Sequence, residues 1–85
     1  MNKAYKDKYK PGTLVQLDIS LLGNEREHKQ RYLAGGSIGM ILGETSTEIK
    51  KRDHHGYSGD LIDVLFEGRI VVFDVDSLDT NTTKI

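Results

Sequence analysis

The chain has 85 residues, of which 29% are charged, with a net charge of −1 and neither Cys nor Trp. Its length limits it to one domain burying ~60–65% of its unfolded surface, with little room for a deep enzyme cleft. The lack of Cys removes disulfides, thiolate zinc centres and thiol nucleophiles, and suits a reducing cytoplasm. No apolar run nears the roughly 20 residues of a membrane span, and the Lys-rich stretch Met1–Lys10 lacks the apolar segment of a signal peptide, so a soluble cytoplasmic protein without membrane contact is expected.

Charge is segregated. Met1–Arg52 carries ten Lys/Arg against six Asp/Glu, and Asp53–Ile85 carries two against seven, so the halves stand at +4 and −5. A basic segment folded against an acidic one suits a polar partner but is not the strongly basic face usual in nucleic-acid binding.

Residues 1–10 form a polar N-terminal arm, with Lys3, Lys6, Lys8 and Lys10 around Tyr5 and Tyr9. Pro11-Gly12 signals a turn into Thr13–Ile19, where Val15, Leu17 and Ile19 alternate with Gln16 and Asp18 as in a strand with one face on a core; Leu14 falls on the opposite face, under a loop. Ser20–Gly36 is too polar through Asn24–Arg31 for a strand and is expected as a long loop after the first strand, carrying at most one helical turn. Gly35–Gly43 is a second strand with Ile38, Met40 and Leu42 turned to the core and Gly39, Ile41 and Gly43 turned away. Its internal glycines mark a bulge, a tight bend or a close approach. A phosphate loop would need a Lys-Ser/Thr pair and a helix start that do not follow.

After the polar stretch Glu44–Gly59, Leu61–Phe66 and Arg69–Val75 form an antiparallel hairpin turning at Glu67-Gly68. Ile70–Phe73 is apolar almost throughout, as in a strand covered on both sides. Asp76-Ser77-Leu78 is a single turn with Leu78 tucked inward, and residues 80–85 are a short closing strand or tail. The predicted core is Val15, Leu17, Ile19, Ile38, Met40, Leu42, Ile62, Val64, Phe66, Val71 and Phe73.

This order of elements resembles SH3-like small barrels. It is similar in particular to short, mostly uncharacterised bacteriophage-encoded proteins, through Pro11-Gly12-Thr13-Leu14-Val15, Gly36–Ile41, Val64–Ile70 and Ser77-Leu78. The resemblance spans about residues 9 to 79 and implies an all-β fold: a small, five-stranded or nearly closed antiparallel SH3-like barrel over residues 11–79. It implies no activity. KOW modules share the feel of Gly36–Ile41 but have basic binding loops, and Sm-like proteins share a step like Leu65–Asp74 but need further strands.

For chemistry the residues offer little. His28, His54 and His55 with Asp53 include donors suited to zinc or iron, yet adjacent His54 and His55 point apart on an extended strand. No nucleophile-elbow signature frames Ser37, Ser46, Ser58 or Ser77, and Asp74 and Asp76 are ordinary turn acids. No catalytic residue, metal site or cofactor is predicted, and a non-catalytic protein-binding or assembly module acting on a host or virion protein is the leading expectation, because small barrels offer open edges and loops to partners. The alternative is weak nucleic-acid binding by the basic loop 50–57, where Lys50, Lys51 and Arg52 meet phosphate beside His54 and Tyr57 stacks a base. Tyr32 is the remaining candidate contact.

Overall fold

The computed structural model describes residues 3–25, 29–46 and 60–85. The described elements are helix α1 (Lys3–Lys8), strands β1 (Leu14–Leu17), β2 (Leu21–Glu25), β3 (Gln30–Leu33), β4 (Ile38–Glu44), β5 (Leu61–Phe66) and β6 (Arg69–Asp74), helix α2 (Val75–Asn81) and strand β7 (Thr82–Lys84). The strands form one antiparallel sheet in the order β3-β2-β6-β5-β4-β1-β7. The chain is therefore mainly antiparallel β. The sheet is open, however, with β3 and β7 at its edges, where a five-stranded or nearly closed barrel was expected.

The β5–β6 hairpin is the best-specified part. Its turn is Glu67-Gly68, and both residues have positive φ, 51° and 76°, the two-residue geometry whose twist matches the flanking strands. Pairing runs without interruption from Phe66↔Arg69 to Leu61↔Asp74. Ile62, Val64, Phe66, Val71 and Phe73 are buried on the inner face, and the rings of Phe66 and Phe73 lie 5.8 Å apart. Leu61, Asp63 and Val72, on the other face, are buried as well, so the hairpin is covered on both sides near Asp63.

One core cluster contains Leu33 from β3 as well as Val15 and Leu17 from β1. These strands are five places apart in the sheet, and at about 4.8 Å per strand a flat sheet would hold them about 24 Å apart. The sheet must therefore coil around its inner face. Gly36 N–H donates to Leu17 C=O, and Leu17 N–H donates to Ser37 C=O, extending the β1–β4 pairing into the β3–β4 connection.

Ser20–Gly36 is a hairpin, β2–β3, rather than a long loop. It escapes the alternation rule because its inward positions are not all apolar: Gly23 lies beneath Val71 and Leu33, and an added Cβ there would stand 2.7 Å from Val71 Cγ1. The chain bends after Leu17, so Ile19 leaves the predicted core and is 54% exposed. The faces of β4 are the reverse of those expected. Gly39 and Ile41 point inward, Ile38 and Leu42 are exposed, and Met40 is half-buried. The reason is Phe66, whose ring occupies the space above Gly39, leaving 2.6–2.8 Å to where a Cβ would be. With a side-chain period of two, placing Gly39 beneath the ring turns Ile38 and Met40 outward. The bulge anticipated from the glycines falls between Ile41 and Gly43, where Gly43 adopts φ +135°.

At the N-terminus Tyr9 is buried in the core cluster, Tyr5 packs against that cluster, and the two rings stack at 6.5 Å. At the other end the Asp74 side chain caps α2 by accepting from Ser77 N–H at 3.1 Å, which leaves Val75 and Leu78 on the buried side. Thr82 N–H and its hydroxyl both donate to Leu78 C=O, stopping the helix and releasing residues 82–84 as the closing strand β7.

Candidate interaction surface

Register places several apolar side chains in one row across the outer face of the sheet. Ile70 pairs with Leu65, Leu65 with Met40 and Met40 with Leu14. Ile85 N–H donates to Leu14 C=O, bringing Ile85 alongside. Directly paired residues share a face, so Ile70, Leu65, Met40, Leu14 and Ile85 line up across β6, β5, β4 and β1 and past the end of β7, a span of about 19 Å at ordinary strand spacing. Ile38 and Leu42 flank Met40 on β4. Leu14, Ile38 and Ile85 are 43%, 54% and 63% exposed and Leu42 is exposed too, while Met40, Leu65 and Ile70 are half-buried. Isolated surface leucines are commonplace; a continuous band is the feature associated with partner binding.

A second apolar surface lies at the β3 margin. Leu22 pairs with Tyr32, and the two are 62% and 65% exposed. Glu25 N–H donates to Lys29 C=O, so in this hairpin the odd-numbered residues of β2 exchange hydrogen bonds with β3. Leu22 and Tyr32 thus form a non-hydrogen-bonded pair, the type in which side chains approach most closely. Beside them β2 parts from β6: the ladder holds Glu25↔Val71 and Asn24↔Val72 and goes no further, because the next β6 residue but one, Asp74, turns into the cap of α2. The gap is a polar cleft of about 160 Å³ lined by residues 21–24, 72–74, Ser77 and Asn81.

Among the described residues the tightest polar clusters are structural. Asp79 on α2 accepts from the Tyr9 hydroxyl at 2.6 Å and from Lys8 Nζ, clamping α1 to α2. The Lys8 and Tyr9 hydrogen bonds hold the Asp79 carboxyl below its ordinary value. Burial, then the hydrogen bond and charge of Asp79, hold the Tyr9 hydroxyl above its ordinary value of 10.0. A phenol whose proton is held more tightly supplies neither a base nor a nucleophile at neutral pH. Thr45 donates to Asp63 at 2.8 Å with both residues buried, a pair that the sequence disguises because Asp63 occupies a polar position in an alternating strand. At the hairpin tip Arg31 Nη2 donates to Glu67 Oε2 at 2.9 Å.

Of the residues singled out from sequence, Tyr32 lies on β3 beside Leu22. Lys50, Lys51, Arg52, His54 and Tyr57, with His28, Asp53, His55 and Ser58, fall outside the described residues. Asp74 and Asp76 are separated in role, Asp74 capping α2 and Asp76 exposed in its first turn. Apolar alternation alone turns Ile38, Met40 and Leu42 to the core and sets Leu14 under a loop, so the outer row carries no signal in the sequence and emerges only from the register of β1 with β4. No protein-family model, curated protein or solved structure matches the chain.

Proposed function

We propose that this protein is a non-catalytic binding or assembly module that docks a protein partner on the outer face of its sheet. The observation that supports this reading is the unbroken row Ile70–Leu65–Met40–Leu14–Ile85, flanked by Ile38 and Leu42. Such a face favours an apolar segment laid across the strands, with energy concentrated in a few central side chains.

The experiment places a photo-crosslinking amino acid at Ile38 and, as a control, at exposed Thr80 on α2, with adducts from cells of the native source identified by mass spectrometry. A protein joined at Ile38 and not at Thr80 is the expected partner, and its affinity should fall at least about tenfold, or 1.4 kcal/mol, for Leu14→Lys/Ile38→Lys with an unchanged circular dichroism spectrum. Equal labelling at both sites, or an unchanged Kd for the double variant, refutes the reading.

A further inference from the structure

We propose that the β3 edge is the seam of a homodimer in which two copies of β3 pair antiparallel about a two-fold axis at Tyr32. Since Lys29, Arg31 and Leu33 direct their backbone groups toward β2, alternation turns the N–H and C=O of Gln30 and Tyr32 outward, where no described residue pairs with them. The opposite edge is protected differently. There β7 has only three residues, one of them Lys84, and Thr82 N–H is already taken by Leu78 C=O, devices that blunt an edge.

Charge selects both the occupant and the register. For the outward groups of Gln30 and Tyr32 to meet, a symmetric pairing must centre on Gln30, Arg31 or Tyr32; centring on Leu33 would oppose Tyr32 with Ala34, whose C=O already accepts from Ser37 N–H. Centring on Arg31 opposes two guanidinium groups, and centring on Gln30 opposes Arg31 with Lys29 of the second copy; like charges directly opposite destabilise a strand pair. Centring on Tyr32 opposes Arg31 with Leu33 and Gln30 with Ala34, with no like charges facing. Arg31 is further occupied by Glu67 of its own chain. In the same register the exposed pair Leu22–Tyr32 of one copy meets Tyr32–Leu22 of the other, giving a four-residue apolar row across the axis and joining the two sheets edge to edge. This seam is distinct from the row through Met40 and does not depend on it.

Sedimentation velocity on the full chain over a concentration series tests the proposal. The unmodified chain should show a monomer–dimer equilibrium. Tyr32→Lys and Tyr32→Glu should each sediment as monomers, and an equal mixture of the two should recover the dimer. Because the chain contains no Cys, Tyr32→Cys reports the register. Opposed residues of a hydrogen-bonded pair lie about 5.5 Å apart at Cα, within disulfide reach, whereas two Gln30 residues in this register stand roughly 14 Å apart. Mild oxidation should therefore give a covalent dimer with Tyr32→Cys and none with Gln30→Cys. A monomer at the highest soluble concentration, a dimer that persists in Tyr32→Lys, or equal crosslinking at both positions overturns the proposal.

Discussion

Gly39→Ala measures how firmly Phe66 is seated. An added Cβ would lie 2.6, 2.7 and 2.8 Å from three atoms of the Phe66 ring, against about 3.5–4.0 Å for carbon atoms at rest, so close to 1 Å of overlap must be relieved. The ring cannot swing outward, since Phe66 is fully buried and has Phe73 against it. Overpacking of this kind costs ~1–3 kcal/mol, while Ala returns ~0.4–1 kcal/mol by restricting the unfolded chain. Gly39 has no positive φ, so no backbone penalty is added. The middle of these ranges gives a net loss of about 1.3 kcal/mol, which at an m-value near 1 kcal/mol per molar urea moves the midpoint down by about 1.3 M. Tyrosine fluorescence and far-UV circular dichroism should follow the same transition. In a Phe66→Leu background the shorter side chain clears the new methyl, so the second substitution should cost well under 1 kcal/mol and the double-mutant cycle should show coupling of about 1 kcal/mol or more. A Gly39→Ala midpoint within about 0.3 M of the parent, or the same cost in both backgrounds, refutes the inward placement of Gly39.

Two further outcomes test other contacts. Thr45→Val removes the 2.8 Å hydrogen bond to Asp63 and should cost about 1–2 kcal/mol, lowering Tm by about 4–16 °C for a domain this size, while exposed Thr80→Val stays within ~0.5 kcal/mol. Because Lys8 and Tyr9 lower the Asp79 carboxyl, the clamp contributes stability above the ordinary aspartate value of about 3.9 and loses it as pH falls through the folded-state value. Asp79→Asn should flatten the acid limb of a Tm–pH profile, and added salt should shrink the difference because the pair is partly exposed. The raised Tyr9 hydroxyl acts in the opposite direction, its contribution being complete below about 10 and declining as pH rises above it. Identical acid limbs in the two proteins would remove the clamp from the account.

The β5–β6 hairpin was legible because every local signal agreed: Glu-Gly at a turn needing two positive φ values, alternation in one strand, and a continuous apolar run in the other where both faces are covered. Leu78 was legible for a similar reason, as the single apolar residue in a polar turn. The β2–β3 hairpin was hidden because a strand that buries Gly23 shows no apolar alternation, and the faces of β4 were misassigned because counting apolar residues favours Ile38, Met40 and Leu42 over Gly39 and Ile41. Volume decided the matter. A glycine faces the core where a partner ring requires the space, and that requirement lies in Phe66, 27 positions away. Tyr9 reads as part of a polar arm because the carboxylate that satisfies its hydroxyl, Asp79, lies 70 positions away in the chain.

Strand propensity supplies an alternative account of the outer row, since β-branched and aromatic residues occupy pleated surfaces for conformational reasons alone. It suffices for Ile38, Ile70 and Ile85. It does not extend to the middle of the row, where Leu65, Met40 and Leu14 pair across three successive strands without a β-branched or aromatic side chain among them. Met is also flexible and polarizable, and able to adapt to an incoming surface. Positions 14, 40 and 65 lie on the outer face, so polar residues there would leave the packing beneath Val71 and Phe66 unchanged. Under the proposed function, burial by a partner accounts for the apolar side chains at all three positions.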